Sequence, residues 1–381
     1  MIIEIRMAGF VNKGAELMLY ATLTKLKERY PDATFVMEPT LNDGPQPFGK
    51  LAQAGFYPKG TFKKFRIQWG FVIGMIPKKV RERYGIILDR EVDIVVDAAG
   101  FAYSDQWGPY ASVDLAESTK RWKKNGTKVV MLPQALGPFT SPKISDAMKV
   151  IVDNIGLIFP REKISFKYLT DIVGQRSNII KRPDFTNLLS GIVPDDFDME
   201  NNKFCIVPNY RMVDKTSAKD SDAYLPFLIN CAKHLVEKDA KPFILVHEGD
   251  KDLELAQRLS AAVGNIPIVI EDDALKIKGI LGSCSGTIGS RFHGLVSALS
   301  QGVPSLATGW SHKYQMLFED YGFPEGLVDV KISNKEVIDK IDLILKADSR
   351  EKIVNTIIEN SNLLKEESRQ MWATVFDYLE K

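Results

Sequence analysis

Short apolar runs recur along the whole chain, each separated from the next by a longer amphipathic stretch. That alternation is the signature of parallel strands covered by helices. Residues 2–7 form the first such run, and in the stretch 14–29 that follows, Leu19, Leu23 and Leu26 fall on one helical face. Further strands are expected at 34–37, 92–98, 128–132 and 156–159, with helices at 113–124, closed by Gly126, and at 143–154. The rhythm fades around 185–202 into Ser190, Gly191, Pro194 and an acidic, Asn-containing stretch, then resumes with strands at 204–207, 243–247, 266–269, 286–289 and 305–308. A chain of 381 residues exceeds the roughly 250 to 300 at which one core stops growing. The expected fold is therefore α/β, with two Rossmann-like doubly wound domains facing a cleft. We expect domains at 1–187 and 203–349, a linker at 188–202, and a closing helix at 350–381, free of Gly and Pro, that packs back on the N-terminal domain. Ligands of such sheets bind beyond the carboxyl ends of the strands.

Several classes of function are excluded at this level. A composition 45% hydrophobic and 26% charged rules out disorder and collagen. A net charge of +1 argues against a dedicated nucleic-acid binder. Cys205, Cys231 and Cys284 lie far apart with no C-x-x-C pair, which suits a reducing cytoplasm. Residues 1–10 read as a strand rather than a signal peptide, and no apolar run is long enough to span a bilayer. Neither G-x-G-x-x-G nor G-x-x-x-x-G-K-[ST] occurs, and His247-Glu248 lacks the second histidine of a zinc motif, so no cofactor or metal is expected.

The densest candidate site is Gly286 to Ala298. A strand runs into Ser290, read as an N-cap, and the first helical turn carries Arg291 and His293. A guanidinium and an imidazole beside the positive end of a helix dipole suit a phosphate or carboxylate. One strand later, His312 and Lys313 open the next helix, and Arg211 follows the first strand of this half. The first half offers different chemistry at its strand ends: Asn12, Gly14 and Glu16 at one junction, Tyr103, Asp105 and Trp107 at a second, Gln134 at a third. Aromatic faces beside Asp and Gln suit a sugar.

These residues resemble the polysaccharide pyruvyl transferase family. The motifs are Asn12-Lys-Gly14-Ala-Glu16, Leu132-Pro-Gln134-Ala-Leu-Gly137-Pro138, Phe159-Pro-Arg161-Glu162-Lys-Ile-Ser165, and above all Ser290-Arg291-Phe292-His293 with Gly302-Val-Pro304 and Lys313. The first departs from the family pattern, which carries Gly-Asp before the Glu where this chain has Ala15. The resemblance implies a glycosyltransferase-B-like fold and transfer of the enolpyruvyl carbons of phosphoenolpyruvate to a saccharide of a capsule or other exopolysaccharide, or to its lipid-linked precursor. It implies that Ser290, Arg291, Phe292, His293, Lys313 and Arg211 hold phosphoenolpyruvate. Asn12, Gly14, Tyr103, Trp107 and Gln134 are then expected on the acceptor, with His293, Glu16 and Asp105 as the acid and base candidates. The alternatives are a nucleotide-sugar glycosyltransferase of the same fold and a non-catalytic sugar- or anion-binding protein.

One further stretch stands apart. Residues 56–84 carry eight basic side chains (Lys59, Lys63, Lys64, Arg66, Lys78, Lys79, Arg81, Arg83) against the single acid Glu82, interleaved with Phe62, Phe65, Trp69, Phe71 and Met75. Such a segment would let an otherwise cytoplasmic protein lie on an anionic membrane surface. The competing expectation is a core element with solvated flanks.

Overall fold

The computed structural model describes residues 1–39, 47–61, 63–64, 67–68, 70–309 and 311–381, with the side chains of 47, 48, 63, 64, 67, 68 and 71 also outside the description. Phe62, Phe65, Arg66 and Trp69 of the basic stretch therefore lie outside it. The chain divides into two compact units, residues 1–185 with 368–381, and residues 186–367.

The first unit is built on a six-stranded sheet: β1 (Ile2–Arg6), β2 (Thr34–Met37), β3 (Tyr57–Pro58), then, after the small antiparallel pair β4 (Lys63–Lys64) and β5 (Ile67–Gln68), β6 (Ile94–Asp97), β7 (Lys128–Gln134) and β8 (Leu157–Pro160). The order is β3-β2-β1-β6-β7-β8, and every neighbouring pair is parallel. Ile3, Ile5, Val95, Val96, Val129 and Val130 are buried. These central strands are covered on both faces, which is why they read as continuous apolar runs. Asn12 caps the first helix, Lys13–Arg29, its Oδ1 accepting from Ala15 N at 3.1 Å. Gly126 ends the helix Tyr110–Asn125 in the left-handed conformation. The two-residue β3 escaped the sequence reading because it is too short to show a period.

Part of the basic stretch is absorbed here. Lys59 is 4% exposed and bridges Glu4 and Asp89, both at 2.6 Å. Arg81, also 4% exposed, forms a two-pronged pair with Glu91 at 2.8 and 2.9 Å. The positive charge counted along residues 56–84 is thus not all surface charge, because acids outside that stretch neutralise two of its members.

The second unit carries β9 (Phe204–Val207), β10 (Pro242–Val246), β11 (Ile268–Ile270), β12 (Gly286–Gly289) and β13 (Ser305–Ala307). The order is β11-β10-β9-β12-β13, again all parallel. Residues 188–202, expected as a linker, pack against this unit. Ile192 N donates to Leu275 O at 3.0 Å, Phe197 meets the Phe243 ring at 5.6 Å, and Gly191 lies so close to Gly279 that a Cβ would come within 2.4 Å of its nitrogen.

The closing helix is continuous over Ala347–Glu380, and its residues from Ser368 onward group with the first unit. There Trp372 meets Phe185 edge-on at 6.2 Å, and Arg29 grips Glu380 through two hydrogen bonds of 2.6 and 2.7 Å. Among the described residues no helix is long and apolar enough to cross a membrane.

Candidate functional site

In both sheets the strand order reverses once, and a reversal in a doubly wound sheet leaves the ends of two neighbouring strands open to a ligand. In the second unit the reversal falls between β9 and β12. The chain leaves β9 through Asn209 and leaves β12 through Ser290.

Ser290 is 1% exposed and ties together four segments of the chain. Its carbonyl accepts from Asn209 Nδ2 at 2.6 Å and from the Tyr314 hydroxyl at 2.9 Å. Its hydroxyl lies 3.1 Å from Tyr224 Oη and 2.6 Å from Thr308 Oγ1. The expected N-cap role is therefore corrected. Arg291 is the N-cap of the helix Phe292–Leu299, without a side-chain cap bond, because the serine hydroxyl is engaged in a buried network. His293 stays in the first turn, its ring edge-on to Phe292 at 5.3 Å.

Arg291 is not a bare cation. Its Nε and Nη2 donate to Asp252 Oδ2 at 3.0 and 2.5 Å, and its Nη1 donates to Glu248. Three of the guanidinium's five N–H groups are thus directed at carboxylates, and two remain. Burial raises the Asp252 carboxyl above the usual range, against the lowering pull of Arg291. Glu248 and Asp252 follow β10, and nothing in the sequence pattern tied them to Arg291, which lies about forty positions on. His247, read only as half of a metal motif, is 3% exposed beside the same helix, its Cδ2 3.5 Å from where a Cβ on Gly294 would sit.

The remaining expected cations are placed less uniformly. Lys313 Nζ lies over the rings of Phe292 and Tyr314 at 5.2 and 5.4 Å, so it shares this junction, and His312 begins the helix His312–Asp320. Arg211 begins the short helix Arg211–Asp214 and pairs with Asp214 at 2.7 Å, with half its side chain exposed. A polar cavity of about 540 Å³ opens next to Thr308 and Gly309, with Lys215, Ser217 and Lys331 on its walls. Arg291 and His293 do not line it.

In the first unit the order reverses between β1 and β6, which end at Arg6 and Asp97. Sequence reasoning singled out neither. Asp97 is fully buried and accepts from Tyr103 Oη at 2.7 Å and Gln134 Nε2 at 3.2 Å, with Arg6 Nε at 3.5 Å. Burial, reinforced by the Asp97 charge, pushes the Tyr103 hydroxyl well up. Tyr103 and Gln134, expected to face an acceptor, are thus held inward by a common carboxylate. Gln134 Oε1 and Ser104 Oγ are buried without a hydrogen-bond partner among the described residues.

The two acid candidates differ in the same way. Asp105 accepts from Thr140 N, Thr140 Oγ1 and Ser141 N at 2.7, 2.7 and 3.0 Å. Burial opposes the shift, but these bonds hold its carboxyl below the usual range. Glu16 is 6% exposed, with Lys13 at 3.2 Å and Tyr20 Oη at 3.4 Å. Gly14 is buried in the same turn, and Trp107 is half exposed, edge-on to Phe101 at 6.2 Å. The motifs around Gln134 and Arg161 interlock: Arg161 N donates to Gln134 O at 3.0 Å, and Leu136 N to Ser165 Oγ at 2.8 Å. Among the described residues no group of three or more His, Cys, Asp or Glu side chains is placed to hold a metal ion.

Among solved structures, the fold is similar to UDP-GlcNAc 2-epimerase from Neisseria meningitidis bound to UDP-GlcNAc, at 11% identity and a TM-score of 0.61 over 99% of both chains. It is similar to Anabaena HepE in complex with UDP-glucose, at 13% identity and a TM-score of 0.56 over 99% of both chains. It is also similar to the pneumococcal O-GlcNAc transferase GtfA in complex with UDP and GlcNAc, at 10% identity and a TM-score of 0.55, covering 100% of this chain and 99% of that one. These likenesses identify two Rossmann-like units of the glycosyltransferase-B class. The polysaccharide pyruvyl transferase model matches residues 12–312, a span that takes in the whole reversal of the second unit and, of the reversal in the first, β6 but not β1. The chain belongs to the polysaccharide pyruvyl transferase family.

Proposed function

We propose that the protein transfers the enolpyruvyl carbons of phosphoenolpyruvate to a saccharide, forming a pyruvate ketal on a cell-surface polysaccharide or its lipid-linked precursor and releasing phosphate. Beyond family membership, one observation carries this reading: Arg291 and His293 meet a helix N-terminus at the strand-order reversal of the second unit. A small dianion fits that combination of a forked donor, an imidazole and a helix dipole.

The chemistry balances without a cofactor. The methylene carbon of phosphoenolpyruvate takes a proton, and the neighbouring carbon becomes cationic and bonds to one sugar hydroxyl oxygen. The carbon–oxygen bond to phosphate then breaks, and a second hydroxyl oxygen closes the ketal ring. Two hydroxyl protons are lost; one balances the proton gained by carbon and one leaves with phosphate. The two uncommitted N–H groups of Arg291, with Lys313, Arg211 and the helix N-terminus, bind carboxylate and phosphate and stabilise the departing charge. Glu248 and Asp252 fix the plane of the guanidinium, and Ser290 and Phe292 hold the junction. His293 supplies the proton or a hydrogen bond to phosphate.

Of the two candidate bases we assign the hydroxyl proton to Glu16. Asp105 is a weaker base, since its lowered pKa comes from the bonds that clamp residues 140–141. Tyr103 and Gln134 act from behind, shaping the acceptor surface to which Asn12, Gly14 and Trp107 contribute. Because phosphoenolpyruvate is a product of central metabolism, we assign the reaction to the cytoplasm.

The test is phosphate release from phosphoenolpyruvate against galactose-, glucose- and mannosamine-bearing acceptors, with UDP-sugars in parallel. Phosphate release that requires an acceptor, with pyruvate recovered on the sugar, is expected. UDP release with no turnover of phosphoenolpyruvate would replace this reading by the nucleotide-sugar glycosyltransferase, and binding without turnover of either donor by a sugar- or anion-binding protein.

A further inference from the structure

Residues 70–84 contain two short helices, Gly70–Gly74 and Lys78–Arg83, that leave most of their apolar side chains in solvent. On an ordinary soluble surface the apolar side chains of a helix turn in and the charged ones turn out. Here Arg81 turns in, 4% exposed and held by Glu91 and Ile86 O, while Val80 turns out, 43% exposed. The two most exposed large hydrophobic residues among those described, Met75 at 78% and Tyr84 at 70%, belong to this one segment. Val72, Ile76, Val80 and Tyr84 recur at every fourth position, all exposed. Tyr57 is exposed too, and its ring lies against Gly85, where a Cβ would come within 2.7 Å. Lys78, Lys79 and Arg83 are exposed among these side chains, with Glu82 as the acid between them.

We propose that this face docks on an anionic membrane surface, with Met75, Ile76, Val80 and Tyr84 entering the headgroup boundary and Lys78, Lys79 and Arg83 on lipid phosphates. The inference is independent of the pyruvyl-transfer reading. Exposed apolar residues alone would fit a second copy of the chain equally well, but protein interface cores are depleted of lysine. Exposed apolar side chains interspersed with lysine and arginine match a lipid surface, which is apolar inside and anionic at its rim. Arg81 contributes by fixing the segment: its pair with Glu91 anchors the second helix, whose Val80 and the following Tyr84 stay in solvent.

The experiment is co-sedimentation of the full-length protein with phosphatidylcholine vesicles, with and without phosphatidylglycerol, at low and high salt. Binding to the phosphatidylglycerol vesicles, weakened by salt, is expected. Met75→Ser with Tyr84→Ser, and separately Lys78→Glu with Lys79→Glu, are expected to lower it roughly tenfold. All four side chains are exposed, so circular dichroism and melting should match the parent chain. The proposal is overturned by equal binding to both vesicle types, by no binding to either, or by variants that bind like the parent. It is overturned equally by a dimer in sedimentation velocity that Met75→Ser with Tyr84→Ser dissociates, which would assign the face to a second copy.

Discussion

Asp252 Oδ2 accepts from both Nε and Nη2 of Arg291, at 3.0 and 2.5 Å, and no part of the Asp252 side chain reaches solvent. With Glu248 on Nη1, the cation at the centre of the candidate donor site is outnumbered by its own carboxylates. Those carboxylates give the guanidinium a fixed orientation and leave part of its fork open. They also make anion binding depend on how tightly they hold it.

Removing Arg291 should therefore act twice. Arg291→Ala is expected to weaken phosphoenolpyruvate binding at least about 100-fold, from the loss of two charge-assisted hydrogen bonds, and to lower stability by about 3 kcal/mol because a buried carboxylate loses its partner. Arg291→Lys should retain more of the stability than of the binding, since an ammonium restores charge but not the fork. Isothermal titration and urea denaturation separate the two effects, and normal donor binding in Arg291→Ala would sink the assigned anion site.

Asp252 supplies a pH test. Burial raises its carboxyl pKa, so the folded protein holds that proton more firmly than the unfolded chain does. Its ionised form costs stability above the folded pKa, and the cost is relieved as pH falls through that pKa toward the ordinary carboxylate value. The same protonation loosens its hold on Arg291. Phosphoenolpyruvate affinity, corrected for the ligand's own phosphate titration, should rise on acidification more in the parent protein than in Asp252→Asn. Superimposable profiles in calorimetry across that interval would refute the coupling.

The two carboxylates of the first unit should separate cleanly. Glu16→Gln is expected to lower kcat by about 100-fold, whereas Asp105→Asn leaves it within about twofold and reduces stability instead. The lowered pKa of Asp105 means that its contribution is present above the ordinary carboxylate value and is lost as pH falls through the folded one. Melting curves of Asp105→Asn and the parent should thus converge at acid pH. A kinetic defect confined to Asp105→Asn would exchange the two roles.

Lys59 carries the opposite pH dependence. Burial works against its charge, but Glu4 and Asp89 raise its pKa. Its contribution is complete below the ordinary lysine value and lost as pH rises through the folded one. Lys59→Met should cost about 3 kcal/mol near neutrality by leaving Glu4 buried and unpaired, and the deficit should narrow at alkaline pH. Urea denaturation at the two pH values measures this, and the double variant with Glu4→Gln should recover much of the loss. A deficit independent of pH would mean that packing, not charge, is what Lys59 contributes.

Much of the fold was legible because it is written locally. The central strands are short apolar runs, Asn12 and Gly126 mark helix ends by their own chemistry, and Ser290 to His293 lie on a strand-to-helix junction that a reader of periodicity can find. What escaped the sequence is non-local. The Ser290 network needs Tyr224, Thr308 and Tyr314 from three other elements, so the cap shifted to Arg291. Arg6 and Asp97 look like ordinary strand-end polar residues until the order β1-β6 makes them neighbours. Tyr103 and Gln134 have residue types that suit a sugar, but whether they turn toward solvent or toward Asp97 is set by packing.

The sequence by itself determined the α/β alternation and which residue types stand at which strand ends, because hydrophobic periodicity and capping act over a few residues. Tertiary structure alone decided which charges are available. Arg291 meets carboxylates that follow another strand, while Lys59 and Arg81 are taken into ion pairs as Lys78, Lys79 and Arg83 stay outside. Ion pairing depends on separation in space and on burial, and neither can be read from separation along the chain.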